Sequence, residues 1–282
     1  MLVNLRDILA VAEQKGIAVA AINVPSLEAL RAALDAAEET GLPVIVQHAE
    51  CHEEFMPLDV MGPTAVALAE QSSAMVCVHL DHCEHLDYLR RALDLGFTGA
   101  MYDGSLTPYA ENVANSCRAK AMCESYDCSL ECELGSMGAR EGGGAAAAAI
   151  YTDPSQAREF VETIGLDALA VSFGTVHGLY KAEPKLNFDI LREIREQVQV
   201  PLVMHGGSGV SNEDYHKAIN AGIRKINYFT YGAKYAGEAA SYVCRDKATS
   251  GTQVYWQDLT EAARVRFEQD FRDVLRVFAL EK

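Results

Sequence analysis

Positive charge is scarce in this chain of 282 residues: 24 Lys and Arg stand against 40 Asp and Glu, a formal charge of −16. Such a surface repels nucleic-acid backbones and anionic bilayers, so neither nucleic acid nor membrane is expected as a partner. An anionic substrate is repelled at long range too, and needs a local positive feature, either a metal ion or clustered backbone N–H groups. Paired cysteine motifs are also lacking. The eight Cys, at 51, 77, 83, 117, 123, 128, 132 and 244, include no C-x-x-C, and several sit in apolar runs such as Val76-Cys77-Val78. They read as buried reduced thiols of a cytoplasmic enzyme. Long uncharged apolar runs are missing as well. Arg6, Asp7 and Glu13 interrupt the N-terminal stretch, which leaves room for neither a signal-peptide core nor a membrane span. With 49% apolar and 23% charged residues, disorder is not expected and a large core is available.

What the chain does contain is an alternation. Short apolar or β-branched runs recur as Ile17–Ala21, Val44–Gln47, Met75–Leu80, Gly99–Tyr102, Ser129–Glu133, Ala168–Val171, Pro201–Met204 and Ile223–Asn227, each the length of a buried strand. Between them lie segments with helical spacing, for example Leu27, Leu30, Ala33, Leu34 and Ala37. Gly41-Leu42-Pro43 and Gly96-Phe97 follow helices, while Ser26, Thr107-Pro108, Asp153-Pro154 and Ser211 precede them. Eight β-then-α units predict an α/β fold, a closed (β/α)8 TIM barrel; an open doubly wound sheet is the competitor. Barrels of this kind commonly form one domain of roughly 250 residues. A single domain over 1–282 is therefore expected, with a Val3–Lys15 helix capping the barrel bottom and residues 232–282 as a helical C-terminal extension. The apolar face of that extension, which includes Leu259, Phe267, Phe271 and Phe278, packs on the barrel and offers a second use as a subunit interface. A homo-oligomer, dimer or tetramer, is expected. The Gly-rich run after Glu141, between the fifth strand and the next helix, suggests a mobile loop.

A barrel active site lies at the carboxyl ends of the strands. Here those ends are chemically loaded: Asp81-His82, Asp103-Gly104-Ser105, Glu131-Cys132-Glu133, Gly174-Thr175-Val176-His177-Gly178, His205-Gly206-Gly207-Ser208-Gly209 and Asn227-Tyr228-Phe229-Thr230. His82, His177 and His205 thus come from three strand ends on one rim, and three imidazoles plus an open position form a catalytic zinc arrangement. Period-two alternation places His79 with Asp81 facing the barrel interior, and His85 on the surface of the next helix. The run Gln47-His48-Ala49-Glu50-Cys51-His52 could line the substrate pocket or hold another metal, and His216 lies on a helix without an evident role. The glycines of loop seven, beside the donors of loop eight, mark the usual barrel phosphate site.

His79-Leu80-Asp81-His82, Tyr102-Asp103-Gly104-Ser105, Glu131-Cys132-Glu133-Leu134-Gly135, Tyr151-Thr152-Asp153-Pro154, Gly174 to Lys181, Glu183-Pro184-Lys185-Leu186, His205 to Gly209 and Lys225-Ile226-Asn227 together resemble the class II fructose-bisphosphate and tagatose-bisphosphate aldolase family, in order, over about Ile17 to Thr230. The resemblance implies a Zn2+-dependent barrel enzyme handling dihydroxyacetone phosphate and an aldehyde, with a phosphorylated sugar as its small-molecule partner. By position, His82, His177 and His205 resemble the zinc ligands, and Asp81 resembles the acid/base at the C4 hydroxyl. Asp103 and Glu133 resemble carboxylates that approach a second or displaced metal position, open to a divalent or monovalent cation. Glu141 resembles the loop glutamate that moves the proton at the ene-diolate carbon. Gly178, Gly206, Gly207, Ser208, Asn227 and Thr230 resemble the dihydroxyacetone phosphate site.

Two departures bear on the substrate. Ala49 stands where better-known members carry Ser or Thr, and Phe229 replaces a small or acidic residue. The chemistry itself needs an electrophile, because cleaving C3–C4 of a ketose leaves negative charge over C2 and C3. No apolar strand ends in an isolated Lys suited to a Schiff base, so the metal triad is the better electrophile. A metal-dependent sugar-phosphate epimerase on the same barrel and a non-catalytic sugar-phosphate-binding protein remain as alternatives.

Overall fold

A computed structural model describes residues 1–136, 150–180 and 184–281. Eight parallel strands close into a barrel in sequence order, β1 (Val19–Asn23), β2 (Val44–Ala49), β3 (Val76–Cys83), β4 (Gly99–Tyr102), β5 (Ser129–Leu134), β6 (Ala168–Val171), β7 (Leu202–Met204) and β8 (Ile223–Tyr228), with β8 pairing back to β1. The open doubly wound sheet is thereby excluded. The connecting helices are α2 (Leu27–Thr40), α3 (Leu58–Gln71), α4 (Leu86–Asp94), α5 (Tyr109–Ser125), α6 (Pro154–Ile164), α7 (Phe188–Gln197) and α8 (Asn212–Asn220). Their starts follow simple chemistry. Ser26, Asp153, Asn187 and Ser211 each turn a side-chain oxygen onto an N–H of the first turn, supplying an acceptor that the helix itself cannot.

Helix α1 (Leu5–Lys15) closes the amino-terminal end. Its Leu5, Ile8, Leu9 and Ala12 are buried against Val19, Ala21, Ile45, Cys77, Met101, Ala168, Ala170 and Val203, the inward residues of the lower barrel. Outward strand residues such as Val44, Val46, Leu130 and Leu202 pack instead with the surrounding helices. Higher in the barrel the inward positions turn polar, and Asn23, Gln47, His79, Asp81, Glu131, Glu133, His205 and Lys225 are all nearly inaccessible to solvent. Such groups are tolerated inside only when paired, so their partners define the site. Beyond β8 run α9 (Thr230–Ser250) and α10 (Trp256–Phe278), and α10 lies against α2 and α9. Among the described residues no helix is long and apolar enough to cross a membrane.

Strand β1 lies two residues later than expected. Ile17 and Ala18 are used to tie α1 to the C-terminal helix, since the Ala18 N–H donates to the Phe278 carbonyl at 3.0 Å, and pairing then continues through the polar Asn23. Strands β2 and β3 likewise extend past their apolar runs into Ala49 and Cys83. The eight Cys are free thiols, but Cys51 and Cys244 are exposed and Cys117 is half-buried, so burial holds for five of them.

Candidate active site and metal centre

The upper mouth of the barrel is built around three imidazoles. His82 Nε2 lies 3.2 Å from His177 Nε2 and 2.8 Å from His205 Nδ1. The side chains reach this point from the end of β3, the loop after β6 and the end of β7. His82 occupies the left-handed region, with φ 43°, where β3 shifts register against β4 between Leu80 and Cys83. A non-glycine residue in that region costs about 1–2 kcal/mol, and the strained turn lets two consecutive side chains, Asp81 and His82, serve the same mouth. His177 and His82 retain some exposure, while His205 is buried.

Carboxylates surround the cluster. His82 Nδ1 lies 2.8 Å from Asp103 Oδ2, and His205 Nε2 lies 2.8 Å from Glu131 Oε1. In each case one ring nitrogen meets a carboxylate and leaves the other directed at the common centre, the arrangement that orients metal-binding histidines. Asp81 is fully buried and accepts from Asn23 Nδ2 at 2.9 Å and from Asn227 Nδ2 at 3.0 Å. Asn23 Oδ1 in turn accepts from Gln47 Nε2 at 2.7 Å, so a chain of amides from β1, β2 and β8 fixes the carboxylate.

The electrostatics suit a cation. Burial disfavours the charge on Asp81, yet His82, His205, Lys225 and the Asn23 amide hold its pKa far below the usual range. Burial likewise opposes charge on His82, but Asp81 and the hydrogen-bonded Asp103 outweigh it and lift its pKa to about 10. Burial, reinforced by Asp103, pushes Glu133 well above the usual carboxylate range, and its Oε2 has no hydrogen-bond partner. Two ligand sets have donor atoms within 4.8 Å of one another, His82 with His177 and His205, and His82 with Asp103 and Glu133. Three convergent imidazole nitrogens, an orphaned buried carboxylate oxygen and an excess of acid fit a divalent ion such as zinc.

Beside this centre, loops seven and eight interlock. A Cβ on Gly206, at φ 64°, would overlap the Val176 carbonyl, and one on Gly207 would lie 2.6 Å from the Asn227 carbonyl oxygen, so only glycine lets these backbones meet. The Tyr180 hydroxyl donates to the Gly206 carbonyl at 2.9 Å and accepts from the Val176 N–H at 3.1 Å, tying loop six to loop seven. Gly207 donates its N–H to the Asn227 carbonyl at 3.1 Å, which leaves it a spacing role rather than that of a free donor. Ser208 Oγ accepts from the Phe229 N–H at 3.0 Å, next to the start of α9 at Thr230. Phe229 has no side-chain acceptor, so the first turn of this 21-residue helix carries no side-chain cap. The positive dipole end of this helix thus begins at Thr230, one of the positions that the sequence marks for phosphate. Gly178, at φ 89°, has open space around its Cα.

The structure separates the other candidates. His48 points behind the barrel wall, where its Nε2 lies 2.9 Å from the Tyr88 hydroxyl. Glu50 Oε1 lies 2.6 Å from His85 Nδ1, and His85 sits just before α4 rather than within it. His52 packs against Phe55 and Phe229, with ring centroids 4.9 and 5.1 Å away. Among the described residues the run Gln47 to His52 therefore contributes no metal cluster, although Ala49 lies opposite Asp81 in the β2–β3 ladder. Glu141 lies outside the described residues. Sequence reasoning missed Asn23, and it set lysine aside although Lys225, within β8, points into the barrel and lies 2.9 Å from Glu131 Oε2. The available signal was a charged or amide residue at an inward position of an otherwise apolar strand.

The family model of class-II fructose-bisphosphate aldolase matches residues 3–279. Among solved structures, the YdjI aldolase from Escherichia coli K12 is 30% identical, with a TM-score of 0.86 over 99% of this chain and 97% of that one. The fructose-bisphosphate aldolase of Campylobacter jejuni is 22% identical, with a TM-score of 0.83 over 98% of this chain and 95% of that one, a likeness of fold.

Proposed function

The chain belongs to the class-II fructose-bisphosphate aldolase family, and from that premise we propose that it cleaves a phosphorylated ketose between C3 and C4, reversibly, into dihydroxyacetone phosphate and an aldehyde, with zinc held by His82, His177 and His205. The observation that carries the reading is the convergence of those three ring nitrogens beside the buried, amide-anchored Asp81. When bound, the ion supplies Lewis-acid polarisation of the ketose oxygens. Asp81, held ionised by its neighbours, takes the C4 hydroxyl proton as C3–C4 breaks and C4 becomes the aldehyde carbonyl. Glu141 is assigned the complementary step, delivering a proton to C3, which has kept the bonding pair. Ser208, Asn227, Thr230 and the Gly178 and Gly206 backbones are assigned to the phosphate-bearing half, with Gly207 providing close approach. Asp103 orients His82, and together with Glu133 it offers a second cation position.

Family membership favours aldolase chemistry over the epimerase and over the non-catalytic binding protein. The same reading includes a cytoplasmic enzyme, in keeping with eight free thiols, and a homo-oligomer in which a second subunit covers Tyr255 and Trp256, exposed at the start of α10. The test is an aldehyde panel with dihydroxyacetone phosphate and added zinc. Condensation with at least one aldehyde, abolished by His177→Ala, is expected; release of a ketose epimer without triose products would overturn the proposal.

A further inference from the structure

Glu131 lies in β5 two residues before Glu133, hence about 7 Å deeper in the barrel, and its side chain is fully buried. Its two oxygens face different partners. Oε1 accepts from His205 Nε2 at 2.8 Å, while Oε2 lies 2.9 Å from Lys225 Nζ and 3.6 Å from His79 Nε2. Lys225 comes from β8, three strands away, so its ammonium crosses the barrel interior to meet this carboxylate. The pair sits beneath the centre, and neither member is among the converging metal donors. The other nitrogen of His205, Nδ1, points up to His82 Nε2 at 2.8 Å.

A neutral imidazole carries one N–H. When that N–H is on Nε2 and engaged by Glu131, the lone pair of Nδ1 is aimed at the mouth and the ring cannot rotate without breaking the bond. A carboxylate bonded only to His205 could swing within the barrel. Lys225 holds its second oxygen and so fixes the acceptor itself.

We propose that the buried Lys225–Glu131 pair is a positioning device that sets His205 as an Nδ1 donor to the catalytic cation. This rests on the metal site proposed above. The barrel thereby builds part of its metal affinity below the visible site, from residues that never touch the ion.

The test is zinc affinity of the purified apo-protein, read by competition with a chromophoric chelator, together with the visible absorption of the cobalt-substituted form. Glu131→Gln keeps the size of the side chain but removes the anionic acceptor. The double variant Glu131→Gln, Lys225→Met does the same without leaving a buried ammonium unpaired, and serves if the single variant folds poorly. Tyr88→Phe, which alters buried hydrogen bonding remote from the mouth, is the structural control. Both Glu131 variants are expected to bind zinc about 10–100-fold more weakly, with an altered cobalt band, while Tyr88→Phe matches wild type. Wild-type affinity and band shape in both Glu131 variants, with tight binding by the wild type, would overturn this inference alone. Failure of the wild-type protein to bind zinc would overturn it together with the metal reading on which it rests.

Discussion

Asp81 and His82 are chain neighbours whose side chains serve the same mouth: Asp81 is held by Asn23 and Asn227, and His82 meets His177 and His205. A regular strand would send them to opposite faces. The left-handed turn at His82 and the register shift between Leu80 and Cys83 bring the proposed base and a proposed metal donor to one point.

The proposed function gives Asp81 and Glu141 different proton transfers. Asp81→Ala should lose carbon–carbon cleavage while retaining exchange of the C3 proton of dihydroxyacetone phosphate. Glu141→Ala should reduce that exchange by orders of magnitude while the metal stays bound. Tritium release from labelled dihydroxyacetone phosphate, measured beside cleavage, distinguishes the two, and the reverse pattern would exchange the assignments.

Lys225 invites a competing electrophile, a Schiff base, but its ammonium is fully buried in an ion pair with Glu131 at 2.9 Å. Turnover should therefore vanish on chelation and return with zinc or cobalt. Borohydride reduction in the presence of dihydroxyacetone phosphate should leave the protein mass unchanged; a covalent adduct on Lys225 would exclude the metal assignment.

Much of this arrangement is legible in the strands, because parallel barrel strands are apolar until they reach the site. The interruptions at Asp81, His82, Asp103, His177 and His205 stand out for that reason. What escapes is the interior layer below them. Asn23 lies two residues beyond the apolar run Ile17–Ala21 and so escapes as part of β1, and Lys225 reads as one basic residue in a mixed segment, because the partner that makes its burial tolerable, Glu131, is distant in sequence. The path of His48 is similarly hidden, since alternation decides only the face and not that Tyr88 waits there. The place of Ala49 becomes concrete only through its register opposite Asp81.

The Lys225–Glu131 pair also makes a stability prediction. Removing one member of a buried ion pair leaves an uncompensated charge, at a cost of roughly 3–5 kcal/mol, whereas replacing both by apolar or neutral groups can be near neutral. Lys225→Met should lower the unfolding free energy of the apo-protein by about 3 kcal/mol. Adding Glu131→Gln should recover most of that loss. Urea unfolding of the two variants checks it, and additive losses would show that the charges are not coupled.

A pH dependence follows from His48. Its Nε2–H donates to the Tyr88 oxygen at 2.9 Å, the Tyr88 O–H donates to Glu53 at 2.7 Å, and Nδ1 has no partner. Burial, followed by the field of His52, lowers its pKa to about 4. The folded protein keeps His48 neutral where the unfolded chain, with an ordinary value of about 6.5, takes up a proton. Its contribution is therefore complete above pH 6.5 and is lost as the pH falls toward 4, by on the order of 3 kcal/mol. The stability advantage of wild type over His48→Gln should shrink across that window in urea titrations. A constant difference from pH 7 to pH 4 would show that His48 titrates normally.

The last expectation concerns the aldehyde-derived half. Ala49 pairs with Asp81 in the β2–β3 ladder, and both are buried at the mouth. The family's usual hydroxyl at this position would reach substrate beside the base, and a methyl group cannot. In the short helical turn that follows Ala49, His52 packs against Phe229, with ring centroids 5.1 Å apart, so a tilted aromatic pair stands where the family resemblance has a small or acidic residue. Leaving a buried polar group of the substrate unpaired costs roughly 1–3 kcal/mol, about one to two powers of ten in kcat/KM. Fructose 1,6-bisphosphate should therefore be a poor substrate, while the phosphate that we assign to Ser208 and Thr230 remains required. Ala49→Ser should raise kcat/KM for fructose or tagatose bisphosphate about tenfold by restoring the donor. Wild-type efficiency on either sugar of about 10⁴ M⁻¹s⁻¹ or more, unchanged by Ala49→Ser, would show that the missing hydroxyl does not set specificity.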